Sequence, residues 1–335
     1  MRQTLAKYRA RLCSGEVHPV AHWDGTASKL IFDPRDEQTP LSLLGFGVCR
    51  LRAEPHRLAT EDREYALVPL QGDFEIRIGP EVMRGRRESP WATRPGRSNA
   101  WAIYAPPGAA VELTGRGELI YYSAPTQSAK RPGMVKPGDR ADAVYGSGVW
   151  LREAVVLLSP ENLTTSLVVG ETYSPPGLWS GTPLHVHDAD DPQAGQSDHE
   201  EVYFHIARPA GGSWGPYSLQ MLFDAQGLNN AYVIHDHDAV AIAGGAHPVV
   251  AGPACELLYT WGLAGTGASL RMWDVPEFAF LKIIGKVLDQ LAKTHPRPVV
   301  SAGQFERIVR EHAFSPEQAH VLRMHLKQQG FEIQR

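Results

Sequence analysis

The sequence predicts a mainly β fold, built as two tandem β-barrels with a C-terminal helical appendage. From about Leu41 onward, apolar and polar residues alternate along many short segments, which is the period of β-strands. The chain holds 32 glycines and 26 prolines among its 335 residues, a content typical of turn-rich antiparallel sheets. Two strand-rich blocks of similar length follow one another, which favours an internal duplication. After Pro276 the apolar period becomes that of helices.

Alternation and turn residues predict where each part begins. Segments such as YALVPLQGDFEIRIG open the first barrel, and a polar stretch rich in Pro and Gly separates it from the second. The strand pattern then resumes in segments such as TTSLVVGETY and CELLYTWGLAG. The predicted parts are an N-terminal helix and lead-in (1–40), the first barrel (41–125), a linker (126–148), the second barrel (149–276) and the helical appendage (277–335).

Helical periodicity is predicted at both ends of the chain. Leu5, Tyr8 and Leu12 would lie on one side of an amphipathic helix within residues 1–20. In the appendage, FAFLKIIGKVLDQLAKTH repeats its apolar residues at helical spacing. Two further helices are expected to begin after Ser301 and Ser315, because serine is a favoured N-cap residue.

Charge and composition exclude several function classes. With 33 basic and 37 acidic residues the net charge is −4, and only short basic clusters are present, so a nucleic-acid partner is not expected. No apolar run approaches the ~20 residues that span a bilayer, and the basic N-terminus lacks the apolar segment of a secretory signal. The three cysteines form neither a metal nor a disulfide pattern. We expect a cytoplasmic protein that binds a small molecule, with a homo-oligomer left open.

Histidines in the second half give the strongest chemical signal. His185 and His187 lie two residues apart in LHVHD, so on a strand both imidazoles face the same side. The segment EEVYFH brings Glu200 and Glu201, of which only one can point inward, and His247 follows a Gly-Gly turn. Three histidines and one carboxylate suit one divalent metal ion such as Zn, Mn, Fe or Ni, with positions left open for water or substrate.

Two other histidine positions compete with this interpretation. His235 and His237 repeat the His-x-His spacing, but the neighbouring aspartates are more typical of a polar turn between strands. By alternation from Glu201, His205 also faces inward, where it is either a packed barrel histidine or an acid–base group.

The order of these motifs resembles the cupin metal motifs, in which His-x-His, Glu and Gly-x-His follow on successive strands. Longer segments are similar to the 5-deoxy-glucuronate isomerase family of inositol catabolism, which is related to ketol-isomerases that act on hexuronates. The resemblance covers about residues 40–275 and implies a bicupin. The segments that carry it are VGETYSPPGLWSGTPLHVHD (169–188), HEEVYFH (199–205), DAVAIAGGAHPVVAGP (238–253) and ELLYTWGLAG (256–265).

The resemblance also implies a ligand set and a single metal per chain. The first barrel has Val111 where a ligand histidine would be, and no His-x-His precedes it, so that barrel is expected to be structural or interfacial. The implied metal ligands are His185, His187, Glu201 and His247.

The activity implied by the resemblance is the aldose–ketose isomerisation of a uronic-acid-type sugar. In such a reaction a metal stabilises the enediolate, and a positioned group carries a proton from C2 to C1. For that transfer the sequence offers His205, Glu200 and Tyr259, with His205 favoured by its strand phase. The candidate substrate-binding residues are Gln220, Tyr203 and Arg271.

Three departures from the family pattern bear on the substrate. Val186, Ile206 and Met221 stand where cations are expected, which predicts an altered carboxylate pocket and a substrate preference different from the usual one. Two other function classes stay open. One is a cupin dioxygenase, since the same ligands hold Fe(II); the other is a non-catalytic sugar-sensing protein whose C-terminal helices contact a partner.

Overall fold

Strands dominate the computed structural model, which describes residues 3–209, 215–265, 269–295 and 297–334. Within these residues the strands form two eight-stranded sheets, one four-stranded sheet and two two-stranded sheets. The mainly β fold with two barrels and a helical appendage is therefore confirmed. The three cysteines are free thiols. None of the described helices combines the length and the apolar character needed to cross a membrane.

The N-terminal segment packs on the second barrel. It contains α1 (Gln3–Ser14), shorter than the predicted range, and β1 (Val20–His22). Tyr8 and Leu12 of the predicted apolar stripe are buried and pack in the core of the second barrel. Strand β1 pairs antiparallel with the strand Asp238–Ile242.

The first barrel is one antiparallel sheet with an apolar interior. Its order is β2-β3-β8-β5-β7-β9, with β4 beside β8 and β6 beside β5. Val111, Leu113, Phe74 and Ile76 are buried inside it, because alternate residues of long strands face one side. The strands are β2 (Lys29–Phe32), β3 (Gly45–Leu51), β4 (His56–Ala59), β5 (Arg63–Ile78), β6 (Glu81–Arg87), β7 (Ala102–Ala105), β8 (Ala110–Pro125) and β9 (Gly133–Val135).

The second barrel carries two facing sheets. One has the order β1-β19-β16-β21-β12-β11-β10 with β15 beside β16, the other has the order β13-β20-β17-β18, and β14 pairs with β22. The strands are β10 (Ala143–Tyr145), β11 (Arg152–Leu158), β12 (Val168–Ser174), β13 (Trp179–Ser180), β14 (His185–Val186), β15 (Asp188–Asp191), β16 (Gln196–Pro209), β17 (Ser218–Phe223), β18 (Asn229–Ile234), β19 (Asp238–Ile242), β20 (Val249–Ala251), β21 (Cys255–Gly265) and β22 (Trp273–Asp274).

The stretch 126–148 pairs with strands of both barrels. Its strand β9 pairs with β7 of the first barrel, and its strand β10 pairs with β11 of the second. A polar composition rich in turns therefore coexists here with short strands that extend each sheet at an edge.

A shared apolar core joins the two barrels face to face. Phe46 of the first barrel lies 5.6 Å, between ring centroids, from Phe204 of the second. The Tyr122 hydroxyl lies 3.0 Å from the Thr260 hydroxyl across the same interface. Gly262 is required there, because a Cβ at this position would lie 2.2 Å from the Tyr122 ring.

Two buried glutamates link the barrels reciprocally. Glu200 on β16 accepts hydrogen bonds from the backbone N–H groups of Ser42, Leu43 and Leu44, and from the Ser42 hydroxyl, at 2.7–2.9 Å. Glu64 on β5 accepts five hydrogen bonds from residues 165–167 at 2.7–3.0 Å. Each carboxylate thus holds the loop that precedes a strand of the other barrel, an arrangement expected of a duplication.

The C-terminal segment forms a separate small core with the start of the second barrel. The predicted helix N-caps are confirmed, since the Ser301 and Ser315 side chains accept hydrogen bonds from the backbone N–H groups of Gln304 and Gln318. Trp150, in a short 3-10 helix (Gly148–Trp150), packs in this core. The elements are α2 (Leu281–Thr294), β23 (Val299–Ser301), α3 (Ala302–Glu311), α4 (Pro316–Gln328) and β24 (Glu332–Gln334).

Candidate metal centre

The structure brings three of the four predicted ligands into one tight cluster. Donor atoms of His187, Glu201 and His247 all lie within 4.8 Å of one another, and all three residues are buried. Glu201 Oε2 lies 3.3 Å from His187 Nε2 and 3.1 Å from His247 Nε2. His185 lies farther out, with its ring centroid 5.4 Å from that of His247 and 6.4 Å from that of His187.

Backbone carbonyl groups orient each imidazole. Nδ1 of His185 lies 3.0 Å from the Pro183 carbonyl oxygen, Nδ1 of His187 lies 2.9 Å from that of His199, and Nδ1 of His247 lies 2.8 Å from that of Gly245. Because a carbonyl only accepts, Nδ1 carries the proton and Nε2 presents its lone pair to the cluster. Carbonyl partners of this kind commonly orient metal-binding histidines.

Asp188 connects the two loops that carry histidines of the cluster. It directly follows His187, and its Oδ2 accepts a hydrogen bond of 2.7 Å from the backbone N–H of Gly245. Gly245 has φ +83°, in the left-handed region that favours glycine, and its carbonyl accepts from His247. The Gly-Gly turn noticed in the sequence therefore sets the orientation of the third histidine.

Burial and mutual contact shift the pKa values within the cluster. Burial alone would raise the pKa of Glu201, but its contacts with His187 and His247 outweigh this and lower the pKa to about 2. Burial and the two neighbouring histidines lower the pKa of His185 to about 3. Burial would also lower the pKa of His247, yet contact with Glu201 outweighs it and raises that pKa.

The donor set suits a divalent metal ion. Nε2 of His247 is buried and finds no hydrogen-bond partner of acceptable geometry among the described residues, although Glu201 Oε2 lies 3.1 Å away. With the proton on Nδ1, this nitrogen faces the carboxylate as one acceptor facing another, and a cation between them would satisfy both. Imidazole nitrogens combined with a carboxylate are typical ligands of Zn, Mn, Fe or Ni.

The cluster opens onto a cavity of about 400 Å³. His185, His187 and Glu201 line it, and the rings of Tyr203 and Tyr259, 4.6 Å apart between centroids, form part of its wall. The Tyr259 hydroxyl lies 2.5 Å from the Ser180 hydroxyl. Burial raises the pKa values of both tyrosines, so their hydroxyl groups stay protonated and can donate hydrogen bonds.

Two of the proton-transfer candidates predicted from the sequence lie outside the cavity. Glu200 points to the opposite face of β16, where Ser42, Leu43 and Leu44 of the first barrel hold its carboxylate, so it is not available to a substrate. His205 does not line the cavity: it is fully buried beside the Tyr203 and Tyr259 rings, and its Nδ1 lies 3.2 Å from the Asp238 carbonyl oxygen.

Two substrate-binding candidates also lie outside the cavity. Gln220 donates from Nε2 to the His247 carbonyl at 2.7 Å, so it supports the loop of that histidine from behind. Arg271 is exposed, and its backbone is paired with Ser197. Alternation on a strand predicts a face, but which face borders the cavity depends on sheet pairing.

The expected cation positions do not face the cavity either. Ile206 is buried in the core between the barrels, on the side of β16 opposite Glu201. Val186 and Met221 are half-buried and are not among the cavity-lining residues. Apolar residues at these three positions are therefore no evidence for an altered carboxylate pocket.

Sequence reasoning missed Arg152, Ser180 and Lys282, which line the cavity. Arg152 opens β11, 33 positions before His185, and reaches the cavity because β11 pairs with β12 in the same sheet. Arg152 precedes an alternating strand and belongs to no recognisable chemical motif. Only knowledge of how the barrel closes could have placed its side chain at the cavity.

Comparison with known proteins identifies the family of the chain. A profile of the KduI/IolB family matches residues 19–281. The 5-deoxy-glucuronate isomerase of Geobacillus kaustophilus is 28% identical over 240 residues, covering 70% of this chain and 84% of the relative. That of Lacticaseibacillus casei is 24% identical over 261 residues, covering 76% and 93%.

Solved structures show the same fold. An IolB-like protein from Salmonella typhimurium LT2 superposes with a TM-score of 0.71 at 24% identity, covering 79% of this chain and 99% of that one. A mutant of Bacillus subtilis oxalate decarboxylase superposes with a TM-score of 0.55 at 9% identity, covering 91% and 86%. The fold is thus the cupin-like one that the motifs imply, and the chain belongs to the KduI/IolB family of isomerases.

Proposed function

We propose that the chain is a metal-dependent ketol-isomerase that interconverts the aldose and ketose forms of a uronic-acid-type sugar. The observation that carries this proposal is the cluster of His187, Glu201 and His247, of which His187 and Glu201 line a cavity large enough for one sugar. The similarity to 5-deoxy-glucuronate isomerases supports the reaction class.

The cluster supplies the electrostatic part of the proposed reaction. A divalent metal held by His187, Glu201 and His247, with His185 beside them, would polarise a substrate carbonyl and stabilise the enediolate charge. The carbonyl groups of His199 and Gly245 keep Nε2 of the two inner histidines directed at one point. Such preorganisation lowers the reorganisation needed as charge develops.

Of the three proton-transfer candidates, Tyr259 is the one that lines the cavity, and we assign the proton transfer to it. Its protonated hydroxyl can donate to a substrate oxygen and recover a proton from Ser180, 2.5 Å away. Tyr203 beside it can hold a second oxygen. Overall, a proton leaves C2 and one arrives at C1, while the hydroxyl proton on O2 is lost and one is gained at O1. C2 is oxidised as C1 is reduced, and no external oxidant is needed.

Exchange at C2 tests the proposal. The full chain is loaded with metal and incubated in deuterated water with a panel of uronic acids and matched neutral aldoses, while oxygen uptake is recorded. We expect deuterium to enter C2 of at least one uronic acid, with metal and without oxygen uptake. Oxygen consumption without exchange would contradict isomerase chemistry and favour a dioxygenase.

A further inference from the structure

Two of the described cavity-lining residues are cations, and they differ in whether a carboxylate forms an ion pair with them. Lys282 at the start of α2 donates to Asp274 Oδ2 at 2.5 Å, so its charge is compensated, and its side chain is 55% exposed. Arg152 makes no ion pair with any carboxylate in the described part of the chain. Its hydrogen bonds run from Nη1 to the carbonyl oxygens of Trp150 (3.2 Å) and Thr182 (3.0 Å).

These contacts fix the Arg152 guanidinium without neutralising it. Two backbone carbonyls occupy Nη1, while a guanidinium carries five N–H donors in a planar fork. The Tyr145 ring lies 5.7 Å from the guanidinium carbon and holds it from one side. Arg152 is half-buried, and a cation partly withdrawn from water is costly unless an anion pairs with it. An anionic ligand in the cavity would supply that partner.

The guanidinium and the metal cluster border one binding space. Arg152 and Glu201 lie in the wall of this space together with Tyr203 and Tyr259, whose ring centroids are 4.6 Å apart. All four side chains line the same cavity of about 400 Å³. One small molecule can therefore contact the cluster with one end and Arg152 with another.

The C-terminal segment keeps this cation in place. Trp150, whose carbonyl accepts from Arg152, packs with Ile284, Val287 and Leu288 of α2 in the appendage core. Most of α2 lies beyond residue 281, where the family match ends. The anchor of Arg152 therefore depends on a segment outside the part shared with the family.

We propose that Arg152 binds the carboxylate of an acidic sugar and thereby selects acidic over neutral substrates. The choice of a sugar acid rests on the function proposed above. A fork of N–H donors pairs with both oxygens of a carboxylate, which an uncharged hydroxymethyl group cannot match.

A matched pair of ligands tests this role. D-glucuronate and D-glucose differ at C6 only, as a carboxylate and a hydroxymethyl group. Calorimetric titration of the full, metal-loaded chain should show tighter binding of glucuronate. Arg152→Met should weaken glucuronate about 10- to 150-fold, the range for one charge-assisted hydrogen bond, and leave glucose unchanged. Arg152→Lys should fall between, and Arg271→Gln, which removes an exposed cation outside the cavity, should behave as wild type.

The outcomes separate this role from a structural one and from the proposed reaction. Equal weakening of both ligands in Arg152→Met, or no weakening of glucuronate, would overturn the assignment. Selective loss of glucuronate in a chain that never exchanges deuterium at C2 would support the Arg152 role while contradicting the isomerase. Exchange on uronic acids that is unaffected by Arg152→Met would support the isomerase and contradict the Arg152 role.

Discussion

The side chains that meet at the candidate metal centre were brought together by local signals in the sequence. His187 and His247 lie beside short turns whose carbonyls orient their rings, and Glu201 follows from strand alternation once the inward face is known. The choice between Glu200 and Glu201 could not be made from spacing alone, because it depends on which barrel lies behind β16. Arg152 was missed because a lone arginine at a strand start has no motif.

Metal content tests the ligand assignment residue by residue. We expect His187→Ala and His247→Ala to lose the bound metal, since each removes a nitrogen from a small ligand set. His205→Asn is the matched control: it alters another buried histidine of the second barrel outside the cluster, and should retain the metal. Elemental analysis of purified variants measures this, and full occupancy in both alanine variants would refute the assignment.

His205 also makes a prediction for stability against pH. Burial lowers its pKa from 6.5 to about 4, so the folded protein keeps it neutral where the unfolded chain binds a proton. The free energy of unfolding is therefore not reduced by His205 above pH 6.5. As the pH falls from 6.5 towards 4, protonation of this histidine in the unfolded chain lowers that free energy by about 3 kcal/mol in total.

Urea unfolding between pH 4 and pH 7 checks this contribution. His205→Asn keeps a donor near the Asp238 carbonyl oxygen but cannot titrate, so its unfolding free energy should fall less steeply with acid than that of wild type. Identical slopes for the two proteins would contradict the prediction.

Among the elements, helices and their caps were predicted more accurately than the roles of connecting stretches. Serine caps and apolar stripes act within one helix, so the sequence carries them directly. The pairing of β9 and β10 with different barrels and that of β1 with β19 are long-range, and no local pattern encodes them. Glu200 belongs to this group, since its partners lie 156–158 positions away.

The contact between β16 and the loop 42–44 should contribute strongly to stability. Glu200→Ala leaves four donors of residues 42–44 without their acceptor, including the N–H of the buried Leu44, so we expect the unfolding free energy to drop by about 3 kcal/mol or more. Glu112→Ala breaks the exposed ion pair with Arg57 and should cost about 1 kcal/mol or less. Chemical denaturation measures both, and similar small losses would show that the Glu200 contact is not a link between the barrels.

At the scale of the whole molecule, the two barrels differ in what their interiors contain. The interior of the first is filled by apolar side chains around Val111, whereas the second carries the cluster and its cavity. Composition and alternation predicted this architecture because strand period and turn content are global properties of the chain. The cavity wall combines residues of β11, β16, β21 and α2. Which of their side chains face the cavity depends on how the barrel closes, so the substrate-binding residues were predicted less well.

Metal titration of the stripped protein tests the central claim, that one metal at the second-barrel cluster supports isomerisation. Chelated, metal-free chain is titrated with one divalent metal while ketose formation from the preferred uronic acid is followed. We expect no activity at the start, a linear rise, and a plateau at one metal per chain. Full activity in the metal-free chain, or a plateau at two metals per chain, would contradict it.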